Sequence, residues 1–412
     1  MTKFPYNPFF TGIDIPDEFF CDRQDETAQM IRLIRNGNNI VLKSPRRIGK
    51  SSLIKHLFLQ KDIAQNFNTL FVDILGTKNA ADFQSELQRS FLKAPFSKGT
   101  KLQKHFETLL KSLYIDFGGI DSVSGSVQLP RVGITPSNLP AIPMEELFGF
   151  LEKQQKPTLV VFDEFQQIEY YPERMAAMLR KYIQQMNKTR FIFSGSSKHM
   201  LTTMFQISNQ PFYKSAVPMD LDILQLSSYQ DFCEKMFAKG GRTVESSAIT
   251  FAYYLFGGET YLMQELMKEV FSATRDGDSV DKKTILSSLS TLIDRKDGDY
   301  REILNRLDNK KERNTLFCIA SEGVATKLTS SSMLKKYDLD NASSVQNAID
   351  NLMDEKMPLI DRIAKGTYVL QDRLFELWIA SKSGTLEAKF QDAQNRFKLQ
   401  RAILERLPGL TD

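Results

Sequence analysis

The chain has 412 residues, enough for two or three domains with cores of their own, and its net charge of +4 calls for neither nucleic acid nor an anionic membrane. Cys21, Cys233 and Cys318 lie too far apart for a disulfide framework or a C-x-x-C metal knuckle, and His56, His105 and His199 are as scattered. No apolar stretch reaches the roughly 18 residues of a membrane helix, and "MTKFPYNPFF" lacks a signal-peptide core, so a cytoplasmic protein that does not engage a membrane is expected.

Residues 4–20 are aromatic and punctuated by proline, which predicts an extended arm packed on the first domain. "DETAQMIRLIRNG" sets Met30, Ile31 and Ile34 at helical spacing, with Gly37 as the stop. "NNIVLKS" reads as a short buried strand and "GKSSLIKHLFLQKDI" as the helix after it. "TLFVDIL" is a second strand, and "AADFQSELQRSFL" the next helix. A basic helix is expected over 98–111, where Glu107 is the one acidic residue. A hairpin insert is expected over about 116–143, where Gly, Ser and Pro accumulate. "MEELFGFLEKQ" and "ERMAAMLRKYIQQM" are helices, while "PTLVVFDEF", "TRFIFSGSS" and "AVPMDLDIL" are strands. Alternation of near-continuous apolar strands with helices predicts an α/β fold, a parallel sheet with helices on both faces.

Beyond Leu226 the strand signal fades. "YQDFCEKMFAKGG", "ESSAITFAYYLFGG" and "TYLMQELMKEVF" suggest a small helical subdomain, and Asp276 to Asp278 form a polar break. Three further helices, "RNTLFCIASEG", "TSSSMLKKYDL" and "ASSVQNAIDNLMDEK", precede the hairpin "LIDRIAKGTYVLQD". That order is the winged-helix order. Residues after Gly384 read as an amphipathic helix of mixed charge.

Two motifs carry chemistry. "SPRRIGKS" fits the P-loop pattern G-x-x-x-x-G-K-[ST], with Ser44 in place of the first glycine, between a strand and a helix. In such a loop backbone N–H groups and a helix N-terminus surround phosphates. Gly49 would allow the closest backbone approach, Lys50 would reach the β- and γ-phosphates, and Ser51 would ligand Mg²⁺. Ser44, Pro45, Arg46, Arg47, Ile48 and Ser52 complete the cradle; the alternative is a basic turn before a helix. "LVVFDEFQQI" ends a buried strand in Asp163 and Glu164. Two carboxylates there need a reason, because an unpaired buried charge is costly. As a Walker B pair, Asp163 would hold Mg²⁺ through water and Glu164 would orient or deprotonate the attacking water. The alternative is a pair of solvated loop acids, against which the upstream loop and the spacing argue.

"RFIFSGSS" supplies Ser194 or Ser196 to reach the attacking water or the γ-phosphate, with turn capping as the alternative. The string does not make the G-x-S-x-G of a serine hydrolase. Arg46 and Arg47 keep three readings: guanidinium on transferring phosphate, contact with a neighbouring subunit or acidic partner, or a solvated loop pair.

The ordered set "FCDRQDET", "SPRRIGKSSLI", "LFVDILGT", "VVFDEFQQI", "FIFSGSS", "PFYKSAVPMDL", "FGGETYLMQEL" and "GTYVLQDRLFELWI" resembles the AAA+-related P-loop ATPases of the STAND and archaeal-ATPase group, over nearly the whole chain. The resemblance implies an ATPase core, a helical lid and a C-terminal winged helix, and an arginine pair before G-K is a habit of the group. Departures are Asp22 where a glycine usually precedes Arg23, Ser215 where many members carry arginine, and Glu259-Thr260 without the usual proline. Consequently no arginine finger is named. Arg23 either contacts the nucleotide or pairs with Glu26.

These readings set the expectations: core over 1–226, lid over 227–300, winged helix over 301–383 and a terminal helix over 384–412. ATP or ADP with Mg²⁺ would be bound, with Lys50, Glu164 and Ser194 catalytic and Ser51 and Asp163 on the metal. The expected function is an ATP-hydrolysing regulatory switch, with an initiator-like DNA-binding ATPase or a non-hydrolysing nucleotide switch as alternatives. In the winged helix Ser343, Ser344, Gln346 and Asn347 could face bases, but Asp350, Asp354 and Glu355 oppose Lys356, and only Lys335, Lys336, Arg362 and Lys365 add positive charge. An unidentified protein partner, self-association or autoinhibition is therefore placed ahead of DNA.

Overall fold

A computed structural model describes residues 7–94, 142–307, 309–354 and 358–405. The basic helix expected over 98–111 lies outside the described residues, as does the hairpin expected over about 116–143 except for its last two positions. The chain forms two compact units. One is Ile13–Asp17 with Arg23–Asp222; the other is the preceding arm, Glu18–Asp22 and everything from Ile223 onward.

In the first unit α1 (Gln24–Arg35) leads to β1 (Ile40–Lys43), α2 (Lys50–Leu59), α3 (Lys61–Asn66), β2 (Asn68–Asp73) and α4 (Ala80–Lys93). There follow α5 (Met144–Glu152), β3 (Thr158–Asp163), α6 (Met175–Ile183), β4 (Arg190–Gly195), α7 (Lys198–Gln206) and β5 (Val217–Asp220). The five strands are parallel in the order β2-β3-β4-β1-β5. β3 is buried at all six residues, the pattern of a strand covered on both faces. Register sets the geometry of the sheet's C-terminal edge: Asp73 lies beside Asp163, and Lys43 beside Gly195. In open parallel sheets that edge is where ligands bind.

Directly behind it sits an aromatic cluster. Phe165 packs on Phe193 with ring centroids 4.6 Å apart, and Phe193 on Phe205 at 5.0 Å. Phe165 and Phe193 are wholly buried. Aromatic pairs of this kind contribute about 0.5–1.5 kcal/mol beyond their area, so the turn carrying Phe165 is firmly seated.

The second unit contains α8 (Leu226–Lys239), α9 (Ser246–Leu255), α10 (Thr260–Ala273), α11 (Lys282–Arg295) and α12 (Asp297–Arg306). A short parallel pair, β6 (Thr243–Val244) and β7 (Ser279–Val280), joins them. Then come α13 (Lys310–Glu322), β8 (Ala325–Thr326), α14 (Ser331–Lys336), α15 (Ala342–Leu352), β9 (Ile360–Ala364), β10 (Thr367–Leu370), α16 (Arg373–Lys382) and α17 (Leu386–Glu405). The wing is three-stranded, β8-β10-β9, rather than a lone hairpin.

One expectation about packing is corrected in part. The N-terminal arm is divided: the stretch up to Gly12 and Glu18–Asp22 belong to this second unit, where Phe9 is received by Phe232, Phe237 and Phe271 with centroids 5.1–6.0 Å away, and Ile13–Asp17 belongs to the first. The segments read as lid, winged helix and terminal helix lie within one compact unit and meet at a charge cluster. Glu376, with no exposed surface, meets Arg373, Lys389 at 3.2 Å and Arg396 at 3.0 Å. The excess positive charge faces helix C-termini: Arg373 Nε donates to the Leu255 carbonyl at 2.9 Å, and Lys389 Nζ to Ala320 and Ser321 at 2.7 and 2.8 Å.

Candidate functional site

β1 is wholly buried, and the chain turns into α2 immediately after it. Ser44 is buried, its N–H donates to the Gly195 carbonyl at 3.3 Å, and its hydroxyl has no hydrogen-bond partner. The left-handed positions of this turn are Arg47 (φ 63°) and Gly49 (φ 88°), not Ser44. A serine therefore replaces the first glycine at a position that asks for small size but no special backbone. Pro45, Arg46 and Arg47 are exposed, Ile48 is buried and Ser52 half-buried. Gly49 caps α2 without any side-chain hydrogen bond to the helix, leaving the first N–H groups facing the loop.

Lys50, the first residue of α2, is held between the two acids that end β3. Its Nζ lies 2.8 Å from Asp163 Oδ1 and 2.8 Å from Glu164 Oε1. Ser51 Oγ donates to Asp163 Oδ2 at 2.5 Å, and Ser194 Oγ to Asp163 Oδ1 at 2.7 Å. Glu164 adopts the left-handed conformation (φ 57°, ψ 43°), and the buried Phe165 behind it fixes the turn. Its Oε2 accepts from Gln166 Nε2 at 2.6 Å and from Ser196 Oγ at 2.8 Å.

Burial pushes the Asp163 carboxyl up, but the Lys50 charge and hydrogen bonds from Lys50, Ser194 and Ser51 outweigh it, and the group lies below its ordinary value. Glu164 follows the same balance, with Lys50, Gln166 and Ser196 opposing burial. Both acids are thus held ionised beside a lysine. Asp73 goes the other way: burial raises it, a hydrogen bond from the Leu75 N–H opposes this, and the charges on Asp163 and Glu164 reinforce it.

The structure brings the loop residues and both acids together, and it changes the picture of three other residues. Ser194 is fully buried and directs its hydroxyl to Asp163 and, at 3.4 Å, to the Phe162 carbonyl, so it holds an acid rather than facing open space beside the loop. Arg23 is buried and pairs with Glu26 at 2.7 Å. Its Nη2 donates to the carbonyls of Asp222 at 2.6 Å and Ile48 at 3.4 Å. Asp22, at the usual glycine position, is left-handed at φ 56°. Gln166 and Asp73 were not singled out from the sequence. Asp73 bears the signal that found Asp163, an apolar strand ending in an acid; Gln166 is two residues past Glu164 and carried none.

Ser51 and Asp163 offer only oxygen donors. Among the described residues no group of three or more His, Cys, Asp or Glu side chains could hold a metal. That donor chemistry fits Mg²⁺, which prefers oxygen and takes few protein ligands when phosphates supply the rest.

A central β1 flanked by β4 and β5, a glycine-lysine-serine turn into α2 and paired acids at the end of β3, which β4 separates from β1, define a P-loop nucleoside triphosphatase of AAA+-like type. Residues 20–266 match the family model "ATPase domain predominantly from Archaea", and residues 298–381 match "Probable winged helix domain". The first match spans more than half of the chain, and the chain belongs to that ATPase family. Among solved structures it is similar to the Walker-type ATPase PABY2304 of Pyrococcus abyssi, with 18% identity, 90% of this chain and 99% of that chain covered, and a TM-score of 0.61. It is also similar to the Aeropyrum pernix ORC2 protein in ADPNP–ADP complexes, with 12% identity, 92% and 95% covered, and a TM-score of 0.50. At these identities the likeness concerns the fold. No curated protein matches the chain. Among the described residues no helix is long and apolar enough to cross a membrane.

Proposed function

We propose that this ATPase is a nucleotide-driven regulatory switch in which Lys50 grips the β- and γ-phosphates and Glu164 is the general base. The observation that carries this reading is Lys50 Nζ lying 2.8 Å from each acid, because it puts the phosphate-binding cation and the base at one point. Water would attack the γ-phosphorus in line. An O–P bond forms, the bond to the β–γ bridging oxygen breaks, and the water's proton passes to Glu164. Mg²⁺, held through Ser51 and Asp163, would neutralise charge on the phosphate oxygens. Ser194 and the loop N–H groups keep this frame in place, and Arg46 and Arg47 are positioned at the exposed rim for phosphate or a partner.

Glu164→Gln should abolish turnover while retaining ATP, read by phosphate release and by nucleotide retained on gel filtration. Turnover equal to wild type would overturn the assignment; negligible turnover in both proteins would favour a switch that does not hydrolyse.

For the winged helix we favour a protein partner over duplex DNA. α15 carries no lysine or arginine and exposes Asp350 beside Gln346 and Asn347, while Ser344 is bonded to Asp340 at 3.0 Å. Lys336, one of the few supporting cations, is paired with Glu322 at 2.7 Å. DNA affinity comes chiefly from phosphate contacts and falls steeply with salt. Duplex binding at low salt that weakens steeply as salt is added and responds to ATP would establish the DNA reading instead.

A further inference from the structure

The two oxygens of Glu164 have different surroundings. Among the described residues Oε1 meets Lys50 alone, at 2.8 Å. Oε2 accepts from Gln166 Nε2 at 2.6 Å, Ser196 Oγ at 2.8 Å and the Ser196 N–H at 3.4 Å. Gln166 is itself confined: it is 7% exposed, and a Cβ built on Gly195 would fall 2.0 Å from its Oε1. That oxygen has no hydrogen-bond partner. Turning the amide over would set two oxygens face to face at Glu164, so the carboxylate dictates the amide's orientation. The absence of a side chain at Gly195 thus makes room for an amide whose polar contact is with the acid.

Resting on the reading of Glu164 as base, we propose that Gln166, backed by Gly195 and assisted by Ser196, is a positioning residue that anchors Oε2 and reserves Oε1 for the attacking water. When Lys50 turns to phosphate, Oε1 loses its partner and Oε2 keeps all of its own. The carboxylate is then free on the side facing the P-loop and fixed on the other. Donors fixed in advance on one oxygen cost no reorganisation at the moment of reaction.

The test is made on the 412-residue chain with Gln166→Ala and Ser196→Ala, alongside Glu164→Gln, measuring kcat, KM and, by fluorescent nucleotide, ATP affinity. Gln166→Ala should lower kcat by about 10–100-fold, the cost of a misplaced catalytic group, with ATP affinity kept within about twofold. KM should likewise stay within about twofold, so that the loss falls on kcat, as it does when an interaction matters in the transition state rather than in binding. Ser196→Ala should show the same loss in kcat in smaller measure, and it decides the matter if Gln166→Ala does not fold. An unchanged kcat, or a loss that appears in KM as much as in kcat, overturns the positioning role. If Glu164→Gln turns over like wild type, the base assignment falls and the positioning role with it. If only Glu164→Gln is inactive, the positioning role alone falls.

Discussion

Ser51 Oγ donates a hydrogen bond to Asp163 Oδ2 across 2.5 Å, joining the first turn of α2 to the end of β3. Both groups are proposed as Mg²⁺ ligands, and the bond sets them within reach of one ion. Ser51→Ala should weaken ATP binding measured with Mg²⁺ while leaving binding measured in chelator nearly unchanged. Asp163 keeps Lys50 and Ser194, so the loss of fold stability should stay near 1 kcal/mol. Calorimetric titration with and without Mg²⁺ checks this, and equal losses in both conditions would contradict the metal role.

Lys50 also bears on the stability of the fold through the two acids that hold it. Asp163 and Glu164 both lie below their ordinary values, so the stability they lend is present above the unfolded carboxylate pKa of about 4 and is lost as pH falls through the folded values. Lys50→Met removes the cation and leaves burial as the largest influence, which raises both. The variant should therefore gain stability relative to wild type as pH is lowered from about 7 toward 4.5. Urea unfolding across that range measures it; parallel stability curves would show that Lys50 does not hold the acids down.

Asp22 and Arg23 are consecutive left-handed residues, at φ 56° and 71°. Such a conformation costs an L-residue roughly 1–2 kcal/mol, less for aspartate and none for glycine. Asp22→Val should destabilise by about that amount, whereas Asp22→Gly should match or exceed wild type within about 1 kcal/mol. Thermal denaturation of the pair separates a backbone effect from a side-chain one: if glycine were as damaging as valine, the carboxylate itself would be the group needed.

At Glu376, Glu376→Gln leaves the buried Arg373 and Arg396 and the half-buried Lys389 without their counter-ion, which should cost about 3–5 kcal/mol. Burial pushes the Glu376 carboxyl up, but Arg373, Arg396 and Lys389 together bring it below its ordinary value. Its stabilisation is accordingly full above the unfolded glutamate pKa and fades on acidification. Adding Arg396→Met to Glu376→Gln should recover part of the loss in a double-mutant cycle, because Arg396, brought down to about 10 by burial, would no longer be left uncompensated. A loss under about 1 kcal/mol would mean that the helix carbonyls alone stabilise the cluster.

What could be read from the sequence was whatever chemistry sits on consecutive residues. "RIGKS" and "VVFDEF" each announce a strand end and a turn, and the periodicities around them supplied the α/β alternation. Contacts between distant stretches could not be read. Gln166 reaches Ser196 and Glu164 only because β3 and β4 are neighbours and Glu164 turns left-handed. The arm was assigned to the first unit alone, though only Ile13–Asp17 belongs there, because an aromatic string says that it will be buried, not by which rings. Arg23 looked like a ligand candidate because its carbonyl partners are backbone atoms, which have no sequence signature.

Those carbonyls give Arg23 a further consequence. A single nitrogen, Nη2, touches Ile48, the residue before the loop glycine, and Asp222, the last residue of the continuous 23–222 stretch whose first residue is Arg23 itself. The core's entrance, exit and phosphate loop are thus wired in series through one guanidinium. A shift of the Ile48 carbonyl therefore bears on the same guanidinium that holds the Asp222 carbonyl, and so on both ends of the 23–222 stretch at once.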